Sequence, residues 1–290
     1  MTQSERSWSF IFFGEDLFSL RVLQSLIESD LGVVPKAVVM LDPISQSGER
    51  LVAYCVEQGI ELIRTRSVKG GEFVDWVVAM EPDIIVSTHF QQILPGRLFN
   101  CVRLGAFNLH PSLLPMYRGM SPQHWPIVFG DTETGVTVHR MVEEVDAGRI
   151  MRQVRIPLER DLYIHELQKK FLAVYGEIMV ESVRLAAEGF PGVDQPSGGG
   201  SYFHKIRDKD MQITLGMPVL RAYCMIRAFS LPYSGAWFDD LCLVRADPLS
   251  NAEYEALLLE GATRGLYRYH KRLFLVLQDG ALEVSKWKKK

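Results

Sequence analysis

Residues 9–28, SFIFFGEDLFSLRVLQSLIE, combine a short apolar run with a longer amphipathic one. Residues 9–13 lack the alternation of a half-exposed strand, and such a run is typical of a parallel strand buried on both faces. Gly14 ends this run. Helical periodicity follows, with apolar positions at Leu17, Leu20, Val22, Leu23 and Leu26. A strand followed by a helix is therefore predicted at the start of the chain.

The same alternation continues to residue 110. The further strand-like runs are 37–41, 61–63, 83–87 and 105–110, and the helical runs between them include 49–58 and 72–80. Strands alternating with helices at these intervals predict an α/β fold with a Rossmann-like, doubly wound and mostly parallel sheet.

The pattern changes after residue 130. Two β-rich runs, 134–141 and 150–156, predict an antiparallel pair, and 161–188 predicts one long helix. A turn-rich segment, 191–201, reads as a linker. Residues 202–290 mix a helix at 217–229 with short strands, which predicts a small, mostly β, barrel-like domain.

The composition is that of a soluble globular protein, with 47% hydrophobic and 23% charged residues and a net charge of −3. The acidic balance disfavours nucleic acid as a partner. The polar N-terminus, residues 1–6, lacks the apolar core of a signal peptide, and no run is long enough to cross a membrane. We therefore expect a cytoplasmic protein without a membrane partner. Its four widely spaced cysteines predict buried reduced thiols and no metal site.

Three polar residues are candidates for chemistry. Asn108 and His110 are two apart at the end of the fifth predicted strand, so both side chains point to the same side of the sheet. Ligands of open parallel sheets bind at this carboxyl edge. Asp146, in the turn of Val145-Asp146-Ala147-Gly148, is expected to return to the same edge. We call Asn108, His110 and Asp146 the predicted trio.

The predicted trio suits the attack of an amine on a carbonyl. The Asn108 amide can stabilise the developing oxyanion, and an imidazolium at His110 would add to that effect. Asp146 would raise the pKa of His110 and collect the proton that the amine loses. Taken singly, each residue also has a structural interpretation, as a satisfied strand end or a turn former.

Residues 107–119, Phe-Asn-Leu-His-Pro-Ser-Leu-Leu-Pro-Met-Tyr-Arg-Gly, resemble the core segment of the 10-formyltetrahydrofolate-dependent formyltransferases. Residues 134–148 resemble the second signature of that family. The resemblance implies a catalytic domain at 1–190, the linker at 191–201 and the C-terminal domain at 202–290. It also places the predicted trio on the family's catalytic residues, with 10-formyltetrahydrofolate as formyl donor and no metal.

The resemblance further implies a folate site formed by two segments, which we call the folate segments. The first is Thr88, His89, Phe90, Gln91, Gln92, Ile93 and Leu94, and the second contains Met141, Val142, Glu143 and Val145. Arg118 is a candidate for holding the phosphates of a substrate.

The sequence leaves several alternatives for the acceptor of the formyl group. Residues 132–142 are most similar to the formyltransferase domain acting on UDP-4-amino-4-deoxy-L-arabinose, which favours a nucleotide-linked amino sugar of lipopolysaccharide biosynthesis. Methionyl initiator tRNA is second, a small amine such as glycinamide ribotide is third, and a folate-binding protein without turnover is last. The nucleotide, the sugar and any homo-oligomeric assembly are left open.

Overall fold

A computed structural model of the chain describes residues 7–290, so the N-terminal segment 1–6 lies outside the described residues. The strands are β1 (Trp8–Gly14), β2 (Val33–Leu41), β3 (Leu62–Thr65), β4 (Ile84–Thr88), β5 (Gly105–His110), β6 (Arg118–Gly119), β7 (Glu133–Arg140), β8 (Ile150–Pro157), β9 (Tyr202–Phe203), β10 (Ala236–Phe238), β11 (Leu241–Pro248), β12 (Gly265–Tyr269), β13 (Arg272–Val276) and β14 (Ala281–Lys289). The helices are α1 (Leu17–Glu28), α2 (Glu49–Glu57), α3 (Gly71–Ala79), α4 (Arg97–Asn100), α5 (Trp125–Phe129), α6 (Ile164–Ala187), α7 (Val219–Phe229) and α8 (Asn251–Leu259).

Seven strands form one sheet in the order β3-β2-β1-β4-β5-β7-β8. The first five are parallel, and β7 joins β5 in the antiparallel sense. β1 is central, and its residues 10–14 are buried, as its apolar run predicts. The predicted α/β class with a mostly parallel sheet is therefore confirmed.

The first helix follows directly from the local sequence. The Asp16 carboxylate accepts a hydrogen bond from the Ser19 backbone at 3.0 Å and caps the helix N-terminus. Its buried face consists of Ser19, Leu20, Val22, Leu23 and Leu26. Helix α1 packs against β1, β2 and β4, and β1 ends at Gly14.

The chain divides into two compact units. The first unit contains residues up to 119, 135–156 and 170–202; the second contains 120–134, 157–169 and 203–290. The segment 191–201, which the sequence indicates as a linker, thus lies in the first unit. The division into 1–190, 191–201 and 202–290 stays a prediction.

The second unit has an antiparallel sheet in the order β10-β11-β14-β13-β12. Helix α7 packs on β11, and residues 222–229 of the helix are all buried. A smaller cluster contains Leu257, Phe274, Val276 and Ala281. Among residues 7–290, no helix has the length and hydropathy needed to cross a membrane.

Candidate active site

The predicted trio lies at one edge of the seven-stranded sheet. Asn108 and His110 are on β5, which ends at His110. Asp146 lies in the turn between β7 and β8, where its backbone has a φ of 55°. Its Oδ2 is 3.5 Å from His110 Nδ1. The structure thus brings His110 and Asp146 together directly.

His110 is buried, with 4% of its surface exposed. Its Nε2 lies 2.8 Å from the carbonyl oxygen of Tyr117, and because a carbonyl only accepts, Nε2 carries a proton. In the neutral ring, the unprotonated Nδ1 then faces Asp146. Burial lowers the pKa of His110, although the Asp146 carboxylate opposes that change. The expected upward effect of Asp146 on this pKa is therefore present, but the net shift is downward because desolvation is the larger effect.

The Asp146 carboxylate is held in its ionised form. The Gly119 backbone N–H donates to Oδ2 at 2.8 Å, and His139 Nε2 lies 3.4 Å from Oδ1. Burial alone would raise the pKa of Asp146, but His110, His139 and the Gly119 N–H together lower it below the ordinary value. In this arrangement, Asp146 is a weak proton acceptor and a strong stabiliser of positive charge.

His139 joins the trio, and the sequence analysis assigns it no role. It pairs with Asn108 across β5 and β7, and Asn108 Nδ2 lies 3.3 Å from His139 Nε2. His139 Nδ1 is 2.9 Å from the Arg140 carbonyl, so Nδ1 carries a proton, and in the neutral ring Nε2 accepts from the Asn108 amide. The register of an antiparallel pair makes this contact, and no local motif could have revealed it.

Gln195 also contacts the Asp146 turn, and no local pattern in the sequence predicts this. Its Nε2 donates to the carbonyl oxygens of Asp146 and Gly148 at 2.7 and 2.8 Å. Its Oε1 accepts from Arg118 Nη2 at 2.7 Å and from Nε at 3.2 Å. Since Arg118 precedes the Gly119 N–H that binds Asp146, Gln195 closes a ring of contacts around the Asp146 turn.

The two folate segments approach each other. A Cβ added to Gly96, just beyond the first segment, would lie 3.2 Å from Glu143 Oε1 in the second. Leu94 is part of a buried hydrophobic cluster, and Phe90 and Met141 both pack against it. The segments therefore form adjacent walls at the carboxyl edge of the sheet.

Side chains within the folate segments have different environments. Gln92 is hydrogen-bonded to the backbone of residues 66 and 68, at 2.9 and 3.1 Å. Thr88 is buried, whereas Ile93 and Val142 are 59% and 44% exposed. The roles of both segments in folate binding stay predictions.

A second polar group is formed by His89 of the first folate segment with Asp16 and Tyr175. His89 Nδ1 is 2.8 Å from Asp16 Oδ2, and its Nε2 is 3.0 Å from the Tyr175 hydroxyl. His89 has a φ of 53°. Burial raises the pKa of the neighbouring Glu15 to about 7. His89 lies close enough to contribute to the lowered pKa of His110.

Within the described range, 7–290, no group of three or more His, Cys, Asp or Glu side chains is arranged to hold a metal ion. The His, Asn and Asp side chains of the site are already engaged with one another.

Residues 16–183 match the family model described as formyl transferase. The methionyl-tRNA formyltransferase of Bacteroides fragilis is 30% identical over 260 residues, which cover 86% of this chain and 76% of that protein. The bifunctional polymyxin resistance protein ArnA of Wigglesworthia glossinidia brevipalpis is 32% identical over 200 residues, covering 68% of this chain and 31% of that protein. The chain belongs to the formyl transferase family and is a formyl-transferring enzyme.

Among solved structures, the N-formyltransferase of Helicobacter canadensis, in complex with folinic acid and dTDP-3-aminofucose, has a TM-score of 0.71. The similarity covers 97% of this chain and 99% of that one, at 16% sequence identity. At this identity, the likeness shows a common fold. It confirms the α/β class and the small antiparallel sheet of the second unit.

Proposed function

We propose that this enzyme moves a formyl group from 10-formyltetrahydrofolate to the amino group of a nucleotide-linked amino sugar, in the biosynthesis of lipopolysaccharide or a similar surface polysaccharide. One observation supports formyl transfer at this site: the imidazoles of His110 and His139 lie beside the Asp146 carboxylate, and the Asn108 amide contacts His139. The acceptor is supported by the fold shared with the Helicobacter canadensis enzyme, which was crystallised with an amino sugar on a nucleotide.

Asn108 is positioned to stabilise negative charge. Its Nδ2 has two hydrogens, and the one that donates to His139 Nε2 fixes the plane of the amide. The second hydrogen then remains for the formyl oxygen, on which negative charge develops as the amine attacks. His139 thus acts as a positioning residue through Asn108.

His110 is the better proton acceptor of the two titratable groups of the trio. Its lowered pKa leaves Nδ1 unprotonated at neutral pH, while the lowered pKa of Asp146 makes that carboxylate a weak base. We therefore propose that His110 accepts the proton of the attacking amine and that Asp146 stabilises the resulting imidazolium. As the C–N bond to the acceptor forms and the bond to the folate nitrogen breaks, the imidazolium returns its proton to that nitrogen.

The residues present fit a reduced folate. The adjoining folate segments offer a partly apolar wall, with Phe90 and Met141 against the Leu94 cluster, and the exposed residues 142–144 beside it. When bound there, the folate supplies the activated formyl group. Phe90 and Met141 would pack on its ring system, and the backbone of residues 141–145 would orient it.

Arg118 is the predicted phosphate ligand, and its surroundings limit that role. Gln195 occupies Nε and Nη2, and Nη1 lies 3.5 Å from Glu144 Oε1. A substrate phosphate would therefore have to replace the Glu144 contact, which is exposed and weak. We keep Arg118 as a proposed ligand through Nη1 alone.

Methionyl initiator tRNA is the second candidate acceptor, and two observations favour it. The Bacteroides fragilis relative acts on methionyl-tRNA by its name, and its similarity extends over 86% of this chain. Residues 203–290 also carry fourteen Lys and Arg against ten Asp and Glu, although the whole chain is acidic. Positive charge is concentrated in this part, which weakens the charge argument against RNA.

A direct comparison of acceptors tests the proposal. Equal amounts of enzyme receive 10-formyltetrahydrofolate with charged initiator tRNA, glycinamide ribotide or a panel of nucleotide-linked amino sugars. We expect one sugar nucleotide to exceed the other acceptors in kcat/KM by about two orders of magnitude or more, a discrimination that needs several specific contacts. The His110→Ala variant serves as the control for contaminating activity. Efficient formylation of tRNA, with no sugar nucleotide accepted, would overturn the sugar assignment in favour of tRNA.

A further inference from the structure

The second unit contains a cavity of about 430 Å³ that the proposed formyl transfer does not use. Its walls come from the start of α6, the turn after α7, and strands β11 and β14. All of its lining residues belong to the second unit. Its volume lies in the range that small-molecule ligands occupy in proteins.

Two cations face each other in the wall of this cavity. Arg245 of β11 pairs directly with Lys286 of β14, and the ladder is irregular on both sides of Arg245. Like charges directly opposite in an antiparallel pair destabilise the sheet. Both side chains are exposed, and in the described part of the chain no carboxylate forms an ion pair with either. Asp247, the acidic residue of β11, is itself exposed.

Other lining residues of the cavity are aromatic and apolar. The Tyr163 hydroxyl donates to the Ala246 carbonyl at 2.9 Å and accepts from the Ala246 N–H at 3.2 Å, so the ring is fixed in place. The Arg245 guanidinium lies 5.5 Å from the centre of that ring. Leu231 and Pro232 complete this side with exposed apolar surface.

We propose that this cavity binds a nucleoside diphosphate at a site separate from the predicted trio. An anion between Arg245 and Lys286 would cancel the repulsion across the strand pair. The fork of Arg245 and the point charge of Lys286 suit two neighbouring phosphate groups. The apolar surface of Leu231 and Pro232 suits the flat base, which an inorganic anion lacks.

Uridine diphosphate is the probe, and hydrogen–deuterium exchange of the full chain locates its binding. We expect slower exchange in residues 230–232 and 243–247 when the nucleotide is present. Lys286→Glu should weaken its binding by at least about tenfold, the effect of losing a charge-assisted bond. Lys288→Glu makes the same charge change on the same strand outside the cavity and should alter the affinity by less than about twofold.

The stability of Lys286→Glu separates a ligand site from a structural role. Without nucleotide, the glutamate should pair with Arg245 and leave Tm unchanged or higher, while nucleotide binding is lost. A fall in Tm together with the loss of binding would contradict the proposal.

Three other outcomes would also overturn it. These are no protection of the two segments, equal protection by inorganic pyrophosphate alone, and binding of an RNA oligonucleotide through Lys286 without binding of the nucleotide. The acceptor assay does not depend on these results, so the two proposals fail independently.

Discussion

Replacing Gln195 with alanine should lower kcat/KM for formyl transfer although Gln195 is not a member of the predicted trio. The substitution deletes two hydrogen bonds to the Asp146 and Gly148 carbonyls, at 2.7 and 2.8 Å. At about 1 kcal/mol net for each, the Asp146 turn loses about 2 kcal/mol of restraint. If enzyme molecules in which the turn has moved do not catalyse formyl transfer, kcat/KM falls by about 30-fold, which is the upper limit of the expected effect.

The Gln195→Glu variant makes this test specific. It keeps an oxygen for Arg118 and strengthens that contact with a charge, but it cannot donate to the two carbonyls. We therefore expect it to lose activity as the alanine variant does. Asp194→Ala is the control, since it removes an exposed ion pair with Arg149 from the neighbouring position and should be nearly neutral.

Steady-state kinetics with both substrates varied, at a temperature where circular dichroism shows each variant folded, give the answer. A role in positioning Asp146 requires a fall in kcat with little change in the KM for folate. Unchanged kcat in Gln195→Ala, or full activity in Gln195→Glu, would refute the reasoning. In the second case, the Arg118 contact alone would account for the position of the turn.

Three further experiments test the site. Alanine at any member of the predicted trio should reduce kcat by roughly two to four orders of magnitude at a temperature where circular dichroism shows the variant folded, and near-normal turnover of His110→Ala would exclude the assigned proton transfer. Because burial lowers the pKa of His110, the ring stays neutral from pH 6.5 upward. The value of kcat/KM should therefore rise through the pKa of the acceptor amine, and the inflection should change when an acceptor of different pKa is used. An inflection fixed near pH 6.5 for every acceptor would contradict this. Gly148→Ala should lower both Tm and activity, since its Cβ would clash with the Arg140 carbonyl oxygen, whereas Gly70→Ala meets open space and serves as the control.

Local patterns were sufficient for the alternating part of the fold. The run of apolar residues at 9–13 predicts a strand buried on both faces, and the strand predicted at 105–110 has the same bounds as β5. Helix α8 was missed because its nine residues lack a clear apolar face. The capping box of Ser250 and Glu253 was the available signal for its start.

The candidate site was only partly accessible from the sequence. The two-residue spacing of Asn108 and His110 predicts a shared side of the sheet, and the family motifs imply Asp146. The sequence predicted the upward effect of Asp146 on the pKa of His110 but not the larger downward effect of burial, because burial depends on everything that packs around the ring.

The sequence by itself determines the strand–helix alternation, the edge of the sheet at which β5 ends, and the family. These features depend on periodicity and on contiguous motifs, which are local. The partnership of Asn108 with His139 depends instead on the register of β5 and β7, and the hold of Gln195 on the Asp146 turn joins residues 49 apart. Such contacts are decided only by the packed structure, because hydrogen bonds between distant segments form only where the whole fold brings their donors and acceptors within hydrogen-bonding distance.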